Sequence, residues 1–144
     1  MAGFSTRSNL PVGAVSAKAS GAARYSLSES PTGTPIALTT AGTLVHTAAT
    51  HAMDEVYLWA SNYHTSDTAI TMSFDNATTG DDDSIIVTVG AQSGLSLFYP
   101  GIPHLGTKIF VKAASNSRIN VVGFVLRRFR EDPSNALAGY DGSS

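Results

Sequence analysis

Asp54-Glu55-Val56-Tyr57-Leu58-Trp59-Ala60-Ser61-Asn62 is the stretch that decides the fold. Apolar Val56, Leu58 and Ala60 fall on every second residue, the period of a strand, because successive Cβ atoms point to opposite faces of a sheet. The intervening Tyr57 and Trp59 are also too apolar to face water freely. The stretch therefore predicts a strand with one core face and a second face that needs a partner.

Working outward, the same texture of β-branched and aromatic runs, broken by Gly, Asn, Asp and Pro, continues from residue 34 to residue 129. Eight strands are predicted, over residues 34–38, 43–48, 54–63, 68–75, 84–89, 94–99, 107–113 and 118–129. Their short connections predict antiparallel neighbours. Alternation assigns Ile70, Met72 and Phe74, then Ile85, Val87 and Val89, then Leu95, Leu97 and Tyr99 to the interior. Ile109, Val111 and Ala113 follow, with Ile119, Val121, Gly123 and Val125 opposite them. On the other faces Thr71 and Ser73 read as solvated, whereas Tyr57, Trp59, Phe98, Phe110, Val122, Phe124 and Leu126 read as a second face covered by a subunit, by the arm or by a loop.

Residues 1–33 differ from this body. They hold seven Ser and six Ala, with Gly3, Gly13, Gly21, Gly33, Pro11 and Pro31 interrupting any regular element. Ordering such a segment costs about 1–2 kcal/mol per residue in backbone entropy, which its few large side chains do not offset internally. Extended, some 30 residues reach on the order of 100 Å, far enough to cross a neighbouring subunit. The chain is thus divided into an extended or flexible arm (1–33), a β-sandwich domain (34–129) and a tail (130–144). One core of this size suffices for one domain, and association with other subunits would help it.

The net charge is -2 and charged residues make up 14% of the chain, below the roughly 25% usual in soluble domains. A surface so sparsely charged suits packing against protein. Arg7, Lys18 and Arg24 against Glu29 leave the arm slightly basic, too weakly to argue for nucleic acid. With no cysteine there is neither a disulfide framework nor a thiolate metal site. No apolar run is long enough to predict a secretory signal or a membrane span.

Candidate chemistry is sparse. Gly90-Ala91-Gln92-Ser93-Gly94 has its serine one place too late for a nucleophile elbow and reads as a turn. His46, His51, His64 and His104 lack close ligand spacing; His46 and His51 flank a turn, but no carboxylate is placed beside them by the sequence. Asp75 and Asn76 with Asp81, Asp82 and Asp83 read as a solvated acidic loop without EF-hand spacing. Asn76-Ala77-Thr78 fits the glycosylation pattern but reads as a hairpin turn. Asp54 and Glu55 diverge as neighbours in a strand, so they are no acid/base pair. Arg127, Arg128 and Arg130 read as a cluster paired with Glu131 and Asp132. The expectation is a protein that is not an enzyme, with no cofactor, no metal and no small-molecule substrate.

The 54–62 stretch, the alternating strand at 68–74, the loop Tyr99-Pro100-Gly101-Ile102-Pro103 and the strand Ile119-Asn120-Val121-Val122-Gly123-Phe124-Val125 together resemble small β-sandwich virion proteins of tailed bacteriophages. The likeness spans residues 42–128 and rests on packing and turn signatures. It implies an all-β, antiparallel jelly-roll-like sandwich and a capsid decoration (cement) protein. Such proteins are typically homotrimers on the capsid exterior, bridging capsomers of the major capsid protein and clamping neighbours with terminal arms. The resemblance carries no role for nucleic acid or membrane, and places synthesis in the host cytoplasm. Phe4, Leu10, Val12 and Tyr25 are then the expected capsid contacts of the arm, and Trp59, Phe110 and Phe124 the expected self-association residues, since large aromatics dominate interfaces. The alternative is a head-fibre or tail module that binds a receptor or glycan through Tyr57, Trp59, Tyr63 and His64.

Overall fold

The computed structural model describes residues 21–75 and 84–129. Nine strands form among them: β1 (Ala22–Ser26), β2 (Ile36–Ala37), β3 (Thr43–Thr47), β4 (Ala52–Asn62), β5 (Thr68–Phe74), β6 (Ile85–Val89), β7 (Ser93–His104), β8 (Lys108–Ala113) and β9 (Ile119–Phe129). All described pairings are antiparallel. One sheet runs β1-β9-β4-β7, with β2 also paired to β9, and the second runs β3-β8-β5-β6. No described helix is long and apolar enough to cross a membrane. The protein is an all-β antiparallel sandwich.

The pairings nest. β5 pairs with β6, β4 with β7, β3 with β8 and β2 with β9, so strands 2–9 behave as one long hairpin rolled into two layers. Between the layers lie Val56, Leu58 and Ala60 of β4, Ile70 and Met72 of β5, Ile109, Val111 and Ala113 of β8, and Ile119, Val121 and Val125 of β9, all buried. These are the residues that alternation assigns to the interior. At about 1.5–3 kcal/mol for each large side chain, this layer is the main source of stability.

Four expectations are corrected. The sandwich begins before residue 34: β1 pairs with β9 from Ala22↔Arg128 to Ser26↔Phe124, and Leu27 and Leu38 join the core. Residues 22–33 therefore belong to the folded unit, and only Phe4, Leu10 and Val12 of the expected arm contacts lie outside the described residues. Secondly, Pro100-Gly101-Ile102-Pro103 continues β7 as strand. Proline is tolerated because β7 is the edge of its sheet and one row of its backbone groups has no strand to meet.

Thirdly, the interior phase of β7 slips. Register shifts against β4 fall between Val56/Tyr57, Leu58/Trp59 and Ala60/Asn62. Each irregularity adds a residue and changes which side chains face inward. Tyr99 stays buried, but Leu95 and Leu97 are 64% and 48% exposed, and Leu97 stands opposite Trp59. On the other sheet edge Ile85, also assigned inward, is exposed. Fourthly, Ser73 is buried rather than solvated. The Gly90–Gly94 segment makes the predicted turn, with Gln92 at φ 50° and its N–H bonded to the carbonyl of His64.

Candidate functional site

Two features stand out from the core: an apolar outer face on the five-stranded sheet and a buried charge cluster at one end of the sandwich. The outer face is built by the residues of β4 and β9 that alternation turns away from the core. Tyr57 and Trp59 lie with ring centroids 6.4 Å apart and near-parallel planes. Phe124 meets both edge-on, at 4.9 Å from Tyr57 and 5.8 Å from Trp59. Arg24 of β1 places its guanidinium 4.7 Å from the Phe124 ring centroid, and Leu97 of β7 extends the surface past Trp59. Tyr57 itself lies over Gly101, whose φ of 77° and missing Cβ make the room; a Cβ there would sit 2.6 Å from the ring.

Trp59 and Phe124, two of the three expected self-association residues, are thus neighbours. Phe110 is not with them: it stands on β8 opposite Leu44 and Ser73, in the other sheet. Alternation along a strand shows that a residue faces away from the core, but not which sheet carries it. Tyr25, half-exposed on β1, stacks beneath the Arg127 guanidinium at 4.6 Å and lines a pocket of about 330 Å³ with Leu27, Pro31 and His46. Of the four residues of the alternative platform, Tyr57 and Trp59 are neighbours. Tyr63, 52% exposed, donates its hydroxyl to the carbonyl of Ser117, and the His64 ring bonds Ser66 in the β4–β5 turn.

The charge cluster centres on Asp54, which is 0% exposed. In the ladder Asp54 lies opposite Arg127 on β9 and opposite His104 on β7, while His46 reaches it from the facing sheet. Arg127 donates Nε to Oδ1 at 2.7 Å and Nη2 to Oδ2 at 3.0 Å; His46 Nε2 bonds Oδ2 at 2.9 Å; the Ala49 N–H donates to Oδ2 at 3.0 Å. Burial alone would push this carboxyl up, but the hydrogen bonds from Arg127, His46 and Ala49 outweigh it and hold Asp54 below the usual carboxylate range. The next residues alternate outward as a second pair, Glu55 with Arg128, so the divergence read from the sequence holds. Arg127 and Arg128 pair with Asp54 and Glu55 of β4, and Arg130, Glu131 and Asp132 of the expected cluster lie outside the described residues.

The hydrogen bonds fix the state of His46. Its Nδ1 accepts the Ser28 N–H at 3.0 Å, so the ring carries its proton on Nε2 and donates it to Asp54. Burial lowers its affinity for a second proton despite the nearby carboxylate. His104 stacks on Phe74 and shares a 2.7 Å hydrogen bond with Tyr99; burial, then His46, lower its proton affinity, while burial pushes the Tyr99 hydroxyl up to about 12. His51 is exposed, whereas His46 is buried.

Both shifted histidines bind protons more readily in the unfolded chain, whose value is 6.5. Stability is therefore full above pH 6.5 and declines below it, until the folded-state values are passed. Asp54 adds a further loss below 3.8, its unfolded value. Melting curves across pH 8 to 4 should show a plateau above about 6.5 and a fall below it. A flat midpoint from pH 7 to 5 would contradict the neutral state of buried His46 and partly buried His104.

Chemically, Ser28, His46 and Asp54 contain the residue types of a hydrolase triad without its geometry. The backbone N–H of Ser28 occupies the nitrogen that would serve as base, and the Ser28 hydroxyl accepts the Thr47 N–H at 2.8 Å. The Ser93 hydroxyl is buried with no hydrogen-bond partner among the described residues. Among the described residues no group of three or more His, Cys, Asp or Glu is arranged to hold a metal. Comparison of the chain with protein-family models, with curated proteins and with solved structures gave no match.

Proposed function

We propose that this chain is a virion structural protein of a tailed bacteriophage, a capsid decoration protein that self-associates as a homotrimer and binds the exterior lattice of the major capsid protein. Its mechanism is burial: many copies, each adding modest apolar contact, raise the energy needed to separate capsomers. The observation that carries the reading is the aromatic outer face of Tyr57, Trp59 and Phe124, continued by the exposed Leu97. An apolar face on a sandwich with few charged residues fits a partner subunit. The nested pairing of strands 2–9 supports a jelly roll, an architecture that recurs in viral capsids and in lectins.

The test is cosedimentation of the purified chain with empty shells of the phage that encodes it. Saturable binding that raises the shell melting temperature is expected, and Leu97→Asp should weaken it at least tenfold while the free chain stays folded. A chain that stays in the supernatant at every concentration would contradict the proposal.

A further inference from the structure

We propose that His46 is a proton-operated clasp: mild acid releases β1 and the turn after it, residues 22–30, from the sandwich while the two sheets stay folded. The clasp does not depend on the capsid reading, since it concerns only how this segment is held.

The segment has few anchors. Along β1 no side chain is buried, Tyr25 being 41% exposed, and among the described residues the strand sits at the edge of its sheet and pairs with β9 only. Beyond that ladder it is held by buried Leu27 and Ser30, by the Ser28 N–H on His46 Nδ1, by the Ser28 hydroxyl on the Thr47 N–H, and by the surface contacts of Arg24 with Phe124 and Tyr25 with Arg127. A short edge strand tied in this way belongs to the low end of the local stability range. One of its ties is conditional on protonation. Neutral His46 accepts at Nδ1, whereas the imidazolium is a donor at both nitrogens. A second proton would point Nδ1–H at the Ser28 N–H, donor against donor, in a buried place.

The charged surroundings make release, rather than tolerance, the outcome. Facing His46 are Asp54 of β4 and Glu29 of the turn, which attract a cation, and Arg127 of β9, which repels one. His104 of β7 lies near enough for the two imidazoles to disfavour each other's charge. Tyr25 of β1 lines the same pocket and is stacked on Arg127, and β8 presents apolar Ile109 opposite His46. Asp54 favours the imidazolium through its hydrogen bond and its charge, but burial outweighs both, and Asp54 also holds Arg127 through two hydrogen bonds. Opening the turn removes the opposing N–H and lets water reach the ring. Burial as the leading cause of the lowered proton affinity of His46 agrees with this. Where the open state binds the proton and the closed state does not, each pH unit downward multiplies the open population by up to about tenfold.

Amide hydrogen exchange of the full chain at pH 7.5 and 5.5, corrected for intrinsic rates, tests the clasp. Protection at Ser28 and along β1 should fall about tenfold or more relative to Val56 and Leu58 in β4. In His46→Gln the change should shrink to under about twofold, whereas His104→Gln should keep it. Should His46→Gln fail to fold, the wild-type imidazole can be titrated by NMR. Its nitrogen shifts should report the Nε2–H form at neutral pH, and its midpoint should coincide with loss of Ser28 protection. Equal loss in β4 and β1, pH dependence abolished by His104→Gln, or separate midpoints would each overturn the proposal.

Discussion

Arg127→Met should lower the free energy of unfolding by about 3–5 kcal/mol at pH 7, because it removes one partner of a buried ion pair and leaves the other. Asp54 would keep only the His46 ring and the Ala49 N–H, with no cation beside a fully buried carboxylate. Its proton affinity would then follow burial and rise. The sign matters for the pH profile. In the wild type, where Asp54 is held low, the carboxylate contributes stability above pH 3.8. In the variant a raised value becomes a penalty above that pH, so the gap between the two proteins is widest at neutrality and narrows towards acid. Urea unfolding at pH 7 and at pH 4 measures both effects. The outward pair gives the control: Arg128 is well exposed, and Arg128→Met should barely move the midpoint. A loss below 1 kcal/mol for Arg127→Met would show that the cluster does not hold β9 to β4.

Gly123→Ala should be nearly as damaging, although alanine ordinarily suits a strand better than glycine. Gly123 lies opposite Leu58 in a ladder that joins every residue of β4 to β9. A Cβ at this position would overlap the backbone carbonyl oxygen of Tyr57 and stand 3.1 Å from Leu58 Cδ2. Leu58 can turn, but the carbonyl moves only if the two central strands separate. We expect a loss of about 3 kcal/mol, the upper end for overpacking, or failure to fold. Gly94→Ala, where a Cβ would meet nothing within 4 Å, should be neutral or slightly stabilising. Equal thermal midpoints for the two variants would contradict the close approach of β4 and β9.

Much of the sandwich was legible because β4, β5, β8 and β9 carry large side chains at period two, a signal that survives without any knowledge of neighbours. β1 was not legible for the opposite reason. Ala22-Ala23-Arg24-Tyr25-Ser26 has no apolar alternation, and its strand conformation comes from the free side of β9, a partner a hundred residues away. β7 was cut short because two prolines and a glycine read as a loop, and edge position, which excuses them, is a property of the sheet. The same limit grouped Phe110 with Trp59 and Phe124, although it stands in the other sheet. In the charge cluster, alternation correctly set Asp54 and Glu55 on opposite faces. The ties to His46 and Arg127 had no spacing signal, because they form across sheets and across 73 residues of chain.

The outer face accounts for residues that a sandwich core has no use for. Tyr57, Trp59 and Phe124 stabilise one another on the surface, with Arg24 over the cluster, and Leu97 stands beside them exposed. Association through that face is the central claim, and the mass of the full chain in solution tests it most directly. A trimer is expected for the wild type and a folded monomer for Leu97→Asp. A wild-type monomer across the accessible concentration range, or a trimer that Leu97→Asp leaves intact, would contradict it.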